Sequence, residues 1–400
     1  MKTNNQKKKT INVAGVLSFA LIVVLMVSAA GCQNGKHNYL VEAELLNANI
    51  WELFASEQQN LLNETYPFNE LNKVSYLADQ DTINEDKVSY LWPYSGMLSA
   101  SISLYKATNN AKYKYLIDTC MLRGLNEYLD TSRKPVCYQS YISKVGYSDR
   151  FYDDNIWIAI DLCDMYLLTK EPQYLTRSLQ LWQFIQSGMD DELGGGIYWC
   201  EQKKRSKNVC SNAPAAVLAC KLFKATNDST YFGQAQMLYE WTKKMFQDKN
   251  DYLYFDNCTL DGRIDSMKYA YNSGQMVQAS ALLYKISHRS EYLSDAQKIA
   301  VSAINHFTKE FQNGTESMQL INCNNNWFAT IMIRGFCELH EIDASKQYLK
   351  VFEQSADILI ETAKDQDGLF GKDWSGNKQE EHKWLLDQAS LVEFLANLSR

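Results

Sequence analysis

Two adjacent aspartates, Asp153 and Asp154, are the residues of this chain best suited to do chemistry. They lie in the run 150–157, RFYDDNIW, where an apolar helical stretch begins. Adjacent carboxylates repel each other and prefer water to aromatic rings, so the pair has little structural use. Hydrolysis of a glycosidic bond, by contrast, needs one ionised and one protonated carboxyl group beside the same bond. The alternative interpretation is that one aspartate caps a helix and the other favours the positive end of its dipole.

Polar and aromatic residues recur wherever a predicted apolar helix begins. If those helices form a closed ring, their starts meet at one end of the ring, which we call the mouth. Aromatic rings beside amides and carboxylates then suit a sugar, which has apolar faces and polar edges. For any single position an ordinary N-cap explains the polar residue equally well. The segments begin at Trp92, Asp153, Asn212, Tyr271 and Asn325, with Asp387 as a sixth candidate.

A run of three glycines, Gly194–Gly196, precedes Tyr198 and Trp199. It is not a phosphate-binding loop, because no Gly-Lys-Ser or Gly-Lys-Thr follows and the dinucleotide spacing is absent. The glycines either let the backbone approach a ligand closely or form a tight turn, and the segment does not distinguish the two. Downstream, the amides of Asn208 and Asn212 can both donate and accept hydrogen bonds, as recognition of sugar hydroxyls requires.

A repeated unit predicts the elements that position these residues. A Tyr-Leu or Tyr-Phe pair recurs at intervals of about 60 residues, which is typical of a repeated supersecondary unit. An apolar helix and a short polar turn precede each pair, and an amphipathic helix follows it. Each unit is therefore a helical hairpin with its more apolar helix inside. The pairs begin at Tyr115, Tyr174, Tyr231, Tyr292 and Tyr348.

The chain ends, Asn38–Glu64 and Trp384–Arg400, supply the helices of a sixth predicted hairpin. Six hairpins close a ring. Because strand patterns with long alternation are absent, we expect an all-α fold, an (alpha/alpha)6 toroid of six inner and six outer helices. We expect residues 32–400 to form one catalytic domain of this kind.

The N-terminal sequence predicts that the protein is exported from the cytoplasm. Four lysines, Lys2, Lys7, Lys8 and Lys9, precede an uncharged apolar stretch that ends in Ser-Ala-Ala-Gly before Cys32. Residues 1–31 have the pattern of a bacterial lipoprotein signal peptide, which makes Cys32 the lipidated first residue of the mature protein. The stretch is also long enough to span a bilayer as an uncleaved anchor. We expect a protein tethered to a bacterial membrane, on its periplasmic or surface face.

Composition argues against several classes of function. The formal charge is −7, and removal of residues 1–31, with four lysines and no acidic residue, makes it −11. Such a chain lacks the basic footprint that nucleic acid binding requires. Five histidines and nine further cysteines show no metal-ligand spacing. We therefore expect neither metal nor cofactor, and no nucleic acid partner.

Four segments together resemble glycoside hydrolase family 76. They are Phe151–Asn155 with Trp157, Asp191–Trp199, Lys207–Asn212 and Tyr271–Gly274, within about residues 80 to 395. The family consists of retaining endo-alpha-1,6-mannanases and related fungal wall enzymes on an (alpha/alpha)6 fold. The resemblance implies that Asp153 is the nucleophile, that Asp154 is the acid/base, and that alpha-mannan or manno-oligosaccharides are the substrate. The substrate-binding residues expected with them are Trp92, Tyr94, Asn155, Gly195, Gly196, Trp199, Asn208, Asn212, Tyr271 and Asn272.

The chemistry of the residues agrees with retention but does not assign the two roles. Retaining enzymes hold their two carboxyls about 5 Å apart, while inverting enzymes need roughly 6.5 to 9.5 Å, which adjacent residues do not easily reach. A glycan-binding lipoprotein without activity is the main alternative. A sugar isomerase or epimerase is a weaker one, because no histidine lies at a helix start.

Overall fold

The computed structural model describes residues 36–68, 88–323, 325–344 and 347–400, and most of these are helical. The predicted signal peptide and Cys32 lie outside the described residues, so the lipid anchor stays a prediction. A π-helical turn, Ile117–Met121, links the third and fourth helices. In chain order the helices are α1 (Tyr39–Leu53), α2 (Leu91–Thr108), α3 (Ala111–Leu116), α4 (Leu122–Asn126), α5 (Tyr152–Thr169), α6 (Pro172–Gln186), α7 (Val209–Thr226), α8 (Ser229–Phe246), α9 (Ala270–Ser287), α10 (Ser290–Phe307), α11 (Asn326–Asp343), α12 (Gln347–Thr362) and α13 (Leu385–Leu398).

Six of these helices form a closed inner ring. Going round it, α2, α5, α7, α9, α11 and α13 each pack against the next, and α13 packs against α2. The remaining helices lie outside: α3 and α4 against α2, α6 against α5, α8 against α7, α10 against α9 and α12 against α11. Helix α1 packs against α13, which joins the two ends of the chain as a hairpin. The predicted all-α (alpha/alpha)6 toroid is confirmed.

The polar turns of the repeat are left-handed helix caps. Five inner helices are each followed by a residue with φ between 49° and 62°. The N–H group of such a residue donates to a carbonyl of the last helical turn, which would otherwise lack a partner. After the first four of these caps the chain reverses into the outer helix with one residue between, so successive inner helices run in the same direction. The five residues are Asn109, Lys170, Asn227, His288 and Ala344.

Two glycines set the distance between α9 and α11. A Cβ atom on Gly335 would lie 2.2 Å from the carbonyl oxygen of Gly274, and one on Gly274 would lie 2.4 Å from the Cα of Met332. Distances this short are forbidden, so only glycine permits such a close approach of the two backbones. This contact packs the first turns of α9 closely against the middle of α11.

Short antiparallel strands connect outer to inner helices at that mouth. Their sheets are β1 with β9, β2 with β3, β4 with β5 and β6, and β7 with β8. These strands have two to six residues, too short for a visible alternation, so the sequence pattern did not predict them. They are β1 (Thr65–Tyr66), β2 (Leu129–Asp130), β3 (Cys137–Tyr138), β4 (Ser206–Asn208), β5 (Phe255–Thr259), β6 (Ile264–Lys268), β7 (Thr308–Asn313), β8 (Glu316–Ile321) and β9 (Lys383–Trp384).

The opposite mouth, where the inner helices end, is lined by paired charges around a cavity of about 790 Å³. Asp164 binds both Lys106 and Lys221, at 2.7 and 2.5 Å. Lysines near helix C-termini offset the negative end of the helix dipole. The two ends of the ring therefore differ in the side chains that line them. The carboxyl pair lies at the end where the inner helices begin. Among the described residues, no helix is both long and apolar enough to cross a bilayer.

Candidate active site

The inner helices present their first-turn residues to the mouth in a fixed register. We count from the N-cap, the last non-helical residue before each helix. The residues two positions after the N-cap approach one another around the ring axis, as ring contacts of Trp327 with Trp92 and Tyr271 show. The residues four positions after it turn back to the loop behind. Position two holds Trp92, Asp153, Cys210, Tyr271, Trp327 and, in α13, the apolar Leu386; position four holds Tyr94, Asn155, Asn212, Ser273, Gln388 and, in α11, the apolar Ala329.

Asp153 occupies position two of α5 and is held by a tryptophan. The indole Nε1–H of Trp199 donates to its Oδ2 at 3.1 Å. The other oxygen, Oδ1, is buried and makes no hydrogen bond to any described residue. Trp199 itself is fixed, because its ring packs on Phe151 at 4.9 Å and its carbonyl accepts from the N–H of Tyr152 at 2.9 Å. One oxygen of the carboxylate is therefore oriented by the protein, and the other makes no hydrogen bond among the described residues.

The two carboxyl groups have unequal environments. Burial raises the pKa of Asp153 to about 6, although the thiol of Cys210 and the indole of Trp199 act to lower it. The pKa of Asp154 lies well above its ordinary value, because of burial and the negative charge of Asp153. Asp154 has no hydrogen bond to a described residue that would stabilise its ionised form. The ionised form of Asp153 therefore disfavours ionisation of Asp154, which suits the two groups to different roles.

Aromatic rings from several inner helices form the floor of the mouth. The ring of Trp327 stands edge-on to Trp92 and to Trp157, with 5.1 Å between centroids in both pairs. Tyr271 contacts Trp327 at 5.4 Å, and Trp384 contacts Trp92 at 5.5 Å. The predicted residues Trp92, Trp199 and Tyr271 thus lie where the ring axis opens. Trp327 received no role in the sequence analysis, although its segment was named as a helix start.

A third carboxyl group, Asp256, lies near the pair and was missed. It is on β5, and it accepts from Asn272 Nδ2 at 3.0 Å and from the hydroxyl of Tyr271 at 3.4 Å. Burial raises its pKa. The negative charges of Asp153 and Asp256, together with burial, raise the pKa of the Cys210 thiol well above its ordinary value. The strand position of Asp256 carries no helix-start signal, so the sequence offered no means of finding it. The Oδ1 of Asn272 is buried without a partner among the described residues.

Two asparagines expected to bind substrate instead hold the backbone, and we correct their role. Asn155 accepts from the N–H of Tyr138 at 2.8 Å and donates to the carbonyls of Tyr138 and Phe151, at 2.9 and 2.8 Å. Asn212 makes the equivalent three bonds to Ile197 and Asn208. Both amides are fully buried, and these bonds use their donors and their oxygen. They fasten each inner helix to the loop that precedes it.

This role predicts a stability loss for Asn212→Ala. The substitution would leave one buried N–H and two buried carbonyls without partners, so we expect the free energy of unfolding to fall by about 2 to 3 kcal/mol. Ser273, at the same position of α9, accepts only one such bond, from Tyr254 N–H at 3.3 Å. We expect Ser273→Ala to cost about 1 kcal/mol. Urea unfolding measures both, and a loss for Asn212→Ala no larger than that for Ser273→Ala would contradict the assignment.

Four other expected binding residues also have different surroundings. Tyr94 is buried in the core, where its hydroxyl donates to the carbonyl of Asn60 at 2.6 Å. Gly195 and Gly196 pack on the ring of Trp241, and a Cβ atom on Gly196 would lie 2.4 Å from it. Of the two explanations for the glycines, the tight turn is therefore the observed one. Asn208 is the N-cap of α7, and its Oδ1 accepts from Ser206 at 2.7 Å. The structure places these four behind the mouth rather than in it.

Within the described residues, no group of three or more histidine, cysteine, aspartate or glutamate side chains is arranged to hold a metal ion. The arrangement does have the parts for acid/base and nucleophilic chemistry. One carboxyl is oriented by an indole N–H, its neighbour has a pKa raised well above the ordinary value, and aromatic rings lie beside them.

Comparisons with known proteins agree with this geometry. Residues 54–400 match the model of glycosyl hydrolase family 76. A crystal structure of a family 76 glycoside hydrolase from a bovine Bacteroides thetaiotaomicron strain is 30% identical, with a TM-score of 0.83 over 91% of this chain and 78% of that one. The family 76 mannosidase Bt3792 from B. thetaiotaomicron VPI-5482 is 29% identical, with a TM-score of 0.83 over 91% and 98% of the two chains.

More distant relatives are fungal and bacterial. Mannan endo-1,6-alpha-mannosidase DCW1 of Saccharomyces cerevisiae is 30% identical over 130 residues, which are 29% of this chain and 28% of that protein. Three Schizosaccharomyces pombe proteins are 23 to 24% identical, and this chain spans 63%, 53% and 47% of their lengths. The alpha-1,6-mannanase GH76A of Salegentibacter sp. HEL1_6 has the same fold, with a TM-score of 0.71 and 22% identity over 91% and 99% of the two chains. Its structure contains an inactive variant with two consecutive aspartates replaced, in complex with alpha-1,6-mannotetrose.

Proposed function

The chain belongs to glycosyl hydrolase family 76, and on this basis we propose that it is an endo-acting alpha-1,6-mannanase that hydrolyses the mannan backbone with retention. The observation that carries the proposal is the pair Asp153 and Asp154, two adjacent carboxyls with raised and unequal pKa values at the mouth of the toroid. The inactive mannanase variant with both consecutive aspartates replaced supports it. The mannan-acting relatives favour the alpha-1,6 linkage.

The reaction would proceed in two steps. In the first, the carboxylate of Asp153 attacks the anomeric carbon, and the carboxylic acid of Asp154 gives its proton to the glycosidic oxygen as the bond breaks. This leaves a mannosyl ester on Asp153 and a carboxylate on Asp154. In the second, Asp154 takes a proton from water, whose oxygen attacks the same carbon and releases Asp153. Two displacements on one carbon restore the original configuration.

The surroundings of the two carboxyls support Asp153 as the nucleophile and Asp154 as the acid/base. The Trp199 indole donates to one oxygen of Asp153, which favours the ionised form that a nucleophile needs. Asp154 lies beside that negative charge, which favours the protonated form that an acid needs. The half-buried ring of Trp92 supplies apolar surface for a sugar face, and the buried rings of Trp157 and Trp327 pack edge-on behind it. The unpartnered Oδ1 of Asn272 is an acceptor for a sugar hydroxyl.

Digestion of linear alpha-1,6-mannan tests the proposal. We expect a series of manno-oligosaccharides from the earliest times, because an endo-acting enzyme cuts within the chain. Alpha-1,2-linked mannan is the control and should not be cut. Release of mannose alone would contradict endo action. Binding of the polymer without any cleavage would contradict the enzyme assignment and favour the non-catalytic glycan-binding protein.

A further inference from the structure

The glycine loop encloses a buried ammonium group. Lys207 is fully buried, and its Nζ donates to the carboxylate of Asp190 at 2.7 Å. It also donates to three carbonyl oxygens of the same loop, those of Asp190, Glu192 and Gly195, at 3.3, 2.7 and 2.7 Å. We call these four oxygens the cage. A buried ammonium is stable only when charge and hydrogen bonds compensate for its lost hydration, and the cage supplies both.

The loop needs this cation to keep its shape. Four consecutive residues, 193–196, have positive φ, and the first of them is a leucine. Such a backbone turns its carbonyls inward, where without Lys207 those of Asp190 and Gly195 would lose its N–H donor and that of Glu192 would keep only the N–H of Gly195, at 3.2 Å. The carbonyl of Leu193 points elsewhere and accepts from Trp241 Nε1 at 3.2 Å. Lys207 is therefore the internal counter-charge around which the loop folds.

The same loop leads directly to the tryptophan that binds Asp153. After Gly196, Asn212 fastens Ile197, and Tyr198 forms a β-bridge with Lys207 itself. The next residue is Trp199. Its N–H donates to the carbonyl of Ser206, the neighbour of Lys207, at 3.3 Å, and its indole reaches Asp153. Lys207 thus touches both the loop before Trp199 and the strand beside it.

We propose that Lys207 is a positioning residue of the active site, which holds the loop so that the indole N–H of Trp199 stays on the carboxylate of Asp153. The inference rests on the proposed role of Asp153 and deepens it. In this proposal a buried lysine that is remote from the substrate controls the orientation and the ionisation of the nucleophile, Asp153. Nothing in the contacts of Lys207 brings it to a reacting atom, so it acts only through Trp199.

The pH profile of Lys207→Ala should show this effect. Loss of the Trp199 hydrogen bond removes a group that lowers the pKa of Asp153, so the pKa rises and less of the nucleophile is ionised at a given pH. We expect kcat to fall about tenfold with little change in KM, and the acidic limb of kcat/KM to move up by about one pH unit. Trp199→Phe should shift the limb in the same direction.

Lys204→Ala is the matched control. Lys204 is exposed, and its Nζ lies 5.0 Å from the same Tyr198 ring that Lys207 approaches at 4.8 Å, but it binds no cage oxygen. We expect an unchanged pH profile. In the double variant with Trp199→Phe, Lys207→Ala should add less than about twofold, because both remove one interaction. Independent, multiplying effects of the two substitutions, or a wild-type profile for Lys207→Ala, would overturn the inference.

A chemical rescue and a second variant complete the test. Ammonium chloride should restore part of the activity of Lys207→Ala relative to sodium chloride at equal ionic strength, because ammonium can fill the cage, and absence of any such recovery would count against the inference. If Lys207→Ala does not fold, Asp190→Asn removes the half-exposed carboxylate of the cage and should shift the acidic limb upward by a smaller amount. An unshifted limb in that variant would contradict the proposal.

Failure of the proposed function would look different. If the wild type and Lys204→Ala both leave alpha-1,6-mannan intact, the function is wrong, and kinetics then cannot test Lys207. A crystal structure of Lys207→Ala still does so. A Trp199 indole displaced beyond hydrogen-bond distance from Asp153 supports the positioning role, and an indole that stays within about 3.2 Å contradicts it.

Discussion

Asp153→Asn is expected to lower kcat on alpha-1,6-mannan by at least about 10³-fold, because it removes the nucleophile on which the covalent intermediate forms. Asp154→Asn is expected to lose about 10² to 10⁴-fold, the contribution typical of a general acid. The second loss should shrink on an aryl glycoside of alpha-1,6-mannobiose, since a good leaving group needs no proton. The loss for Asp153→Asn should persist on that substrate. Initial rates on both substrates separate the two roles.

The pH dependence of the wild type follows from the same pair. Activity requires ionised Asp153, so kcat/KM should rise as the pH passes the value of about 6 to which burial raises the pKa of that carboxyl. It should fall again at the raised pKa of Asp154, when the acid loses its proton. We expect Asp154→Asn to lose the basic limb and to keep the acidic one.

Asp149→Asn is the matched control for both substitutions. Asp149 lies four residues before Asp153 and pairs with Lys203 at 3.0 Å, away from the mouth. We expect its activity within about twofold of the wild type, since its partly buried ion pair is with Lys203 and not with either carboxyl of the catalytic pair. Folding is checked by thermal melting. Both active-site variants should melt no lower than the wild type at neutral pH, because each removes a buried carboxyl that repels its neighbour. Near-wild-type turnover by Asp153→Asn would exclude it as the nucleophile.

Arg334→Met is expected to cost about 3 to 5 kcal/mol of unfolding free energy at pH 8, the largest stability effect we predict for a single substitution. Arg334 lies inside the ring below the active site, where its Nη2 donates to Glu393 at 2.7 Å. Its guanidinium lies 5.9 Å from the ring of Trp157. The substitution would leave Glu393 and the nearby Asp161 buried as anions without their cation.

The pH dependence of this loss has a definite sign. In the wild type, burial raises the pKa of Asp161 to about 7, against the lowering effect of Arg334. A carboxyl with a raised folded pKa favours the folded state at low pH and loses that contribution as the pH rises towards the folded value. Without Arg334 the pKa of Asp161 rises further, because the group that lowers it is gone. The difference between variant and wild type should therefore be smaller at pH 5 than at pH 8.

Arg263→Met is the control for burial. Arg263 pairs with Asp261 at 2.9 Å, but its side chain is 81% exposed. Exposed pairs are worth less than about 1 kcal/mol, so we expect a small change at either pH. Urea unfolding at pH 5 and pH 8 measures all three proteins. A loss for Arg334→Met below about 1 kcal/mol at pH 8 would show that the buried network does not need its cation.

The repeat of tyrosine pairs was enough to predict the toroid, because each hairpin has the same length and the same inside-outside contrast. The residues that line the mouth were predicted less well. Asp153, Tyr271 and Trp92 lie where expected, whereas Asn155, Asn212 and Tyr94 do not, although all six are first-turn residues. The difference is two positions of helical register: position two faces the ring axis and position four faces the preceding loop. Sequence alone does not show which residue is the N-cap to that accuracy.

The remaining misses have a similar physical cause. Asp256 acts from a short strand, and its neighbours at the mouth come from α7 and α9, so only the closed ring brings it near the pair. Lys207 was quoted as part of a motif without any role. Its cage exists only because four residues adopt positive φ, and glycine is the only residue type that indicates such a conformation in a sequence.

The anomeric configuration of the first product tests the central claim most directly. The substrate is linear alpha-1,6-mannan, and proton NMR follows the reducing-end signal from the first minutes, before mutarotation. If Asp153 forms a covalent mannosyl intermediate that Asp154 helps water to hydrolyse, the alpha anomer of the new reducing end appears first and the beta anomer grows in later. Initial appearance of the beta anomer would mean a single displacement by water, and would contradict the assignment of Asp153 as a nucleophile.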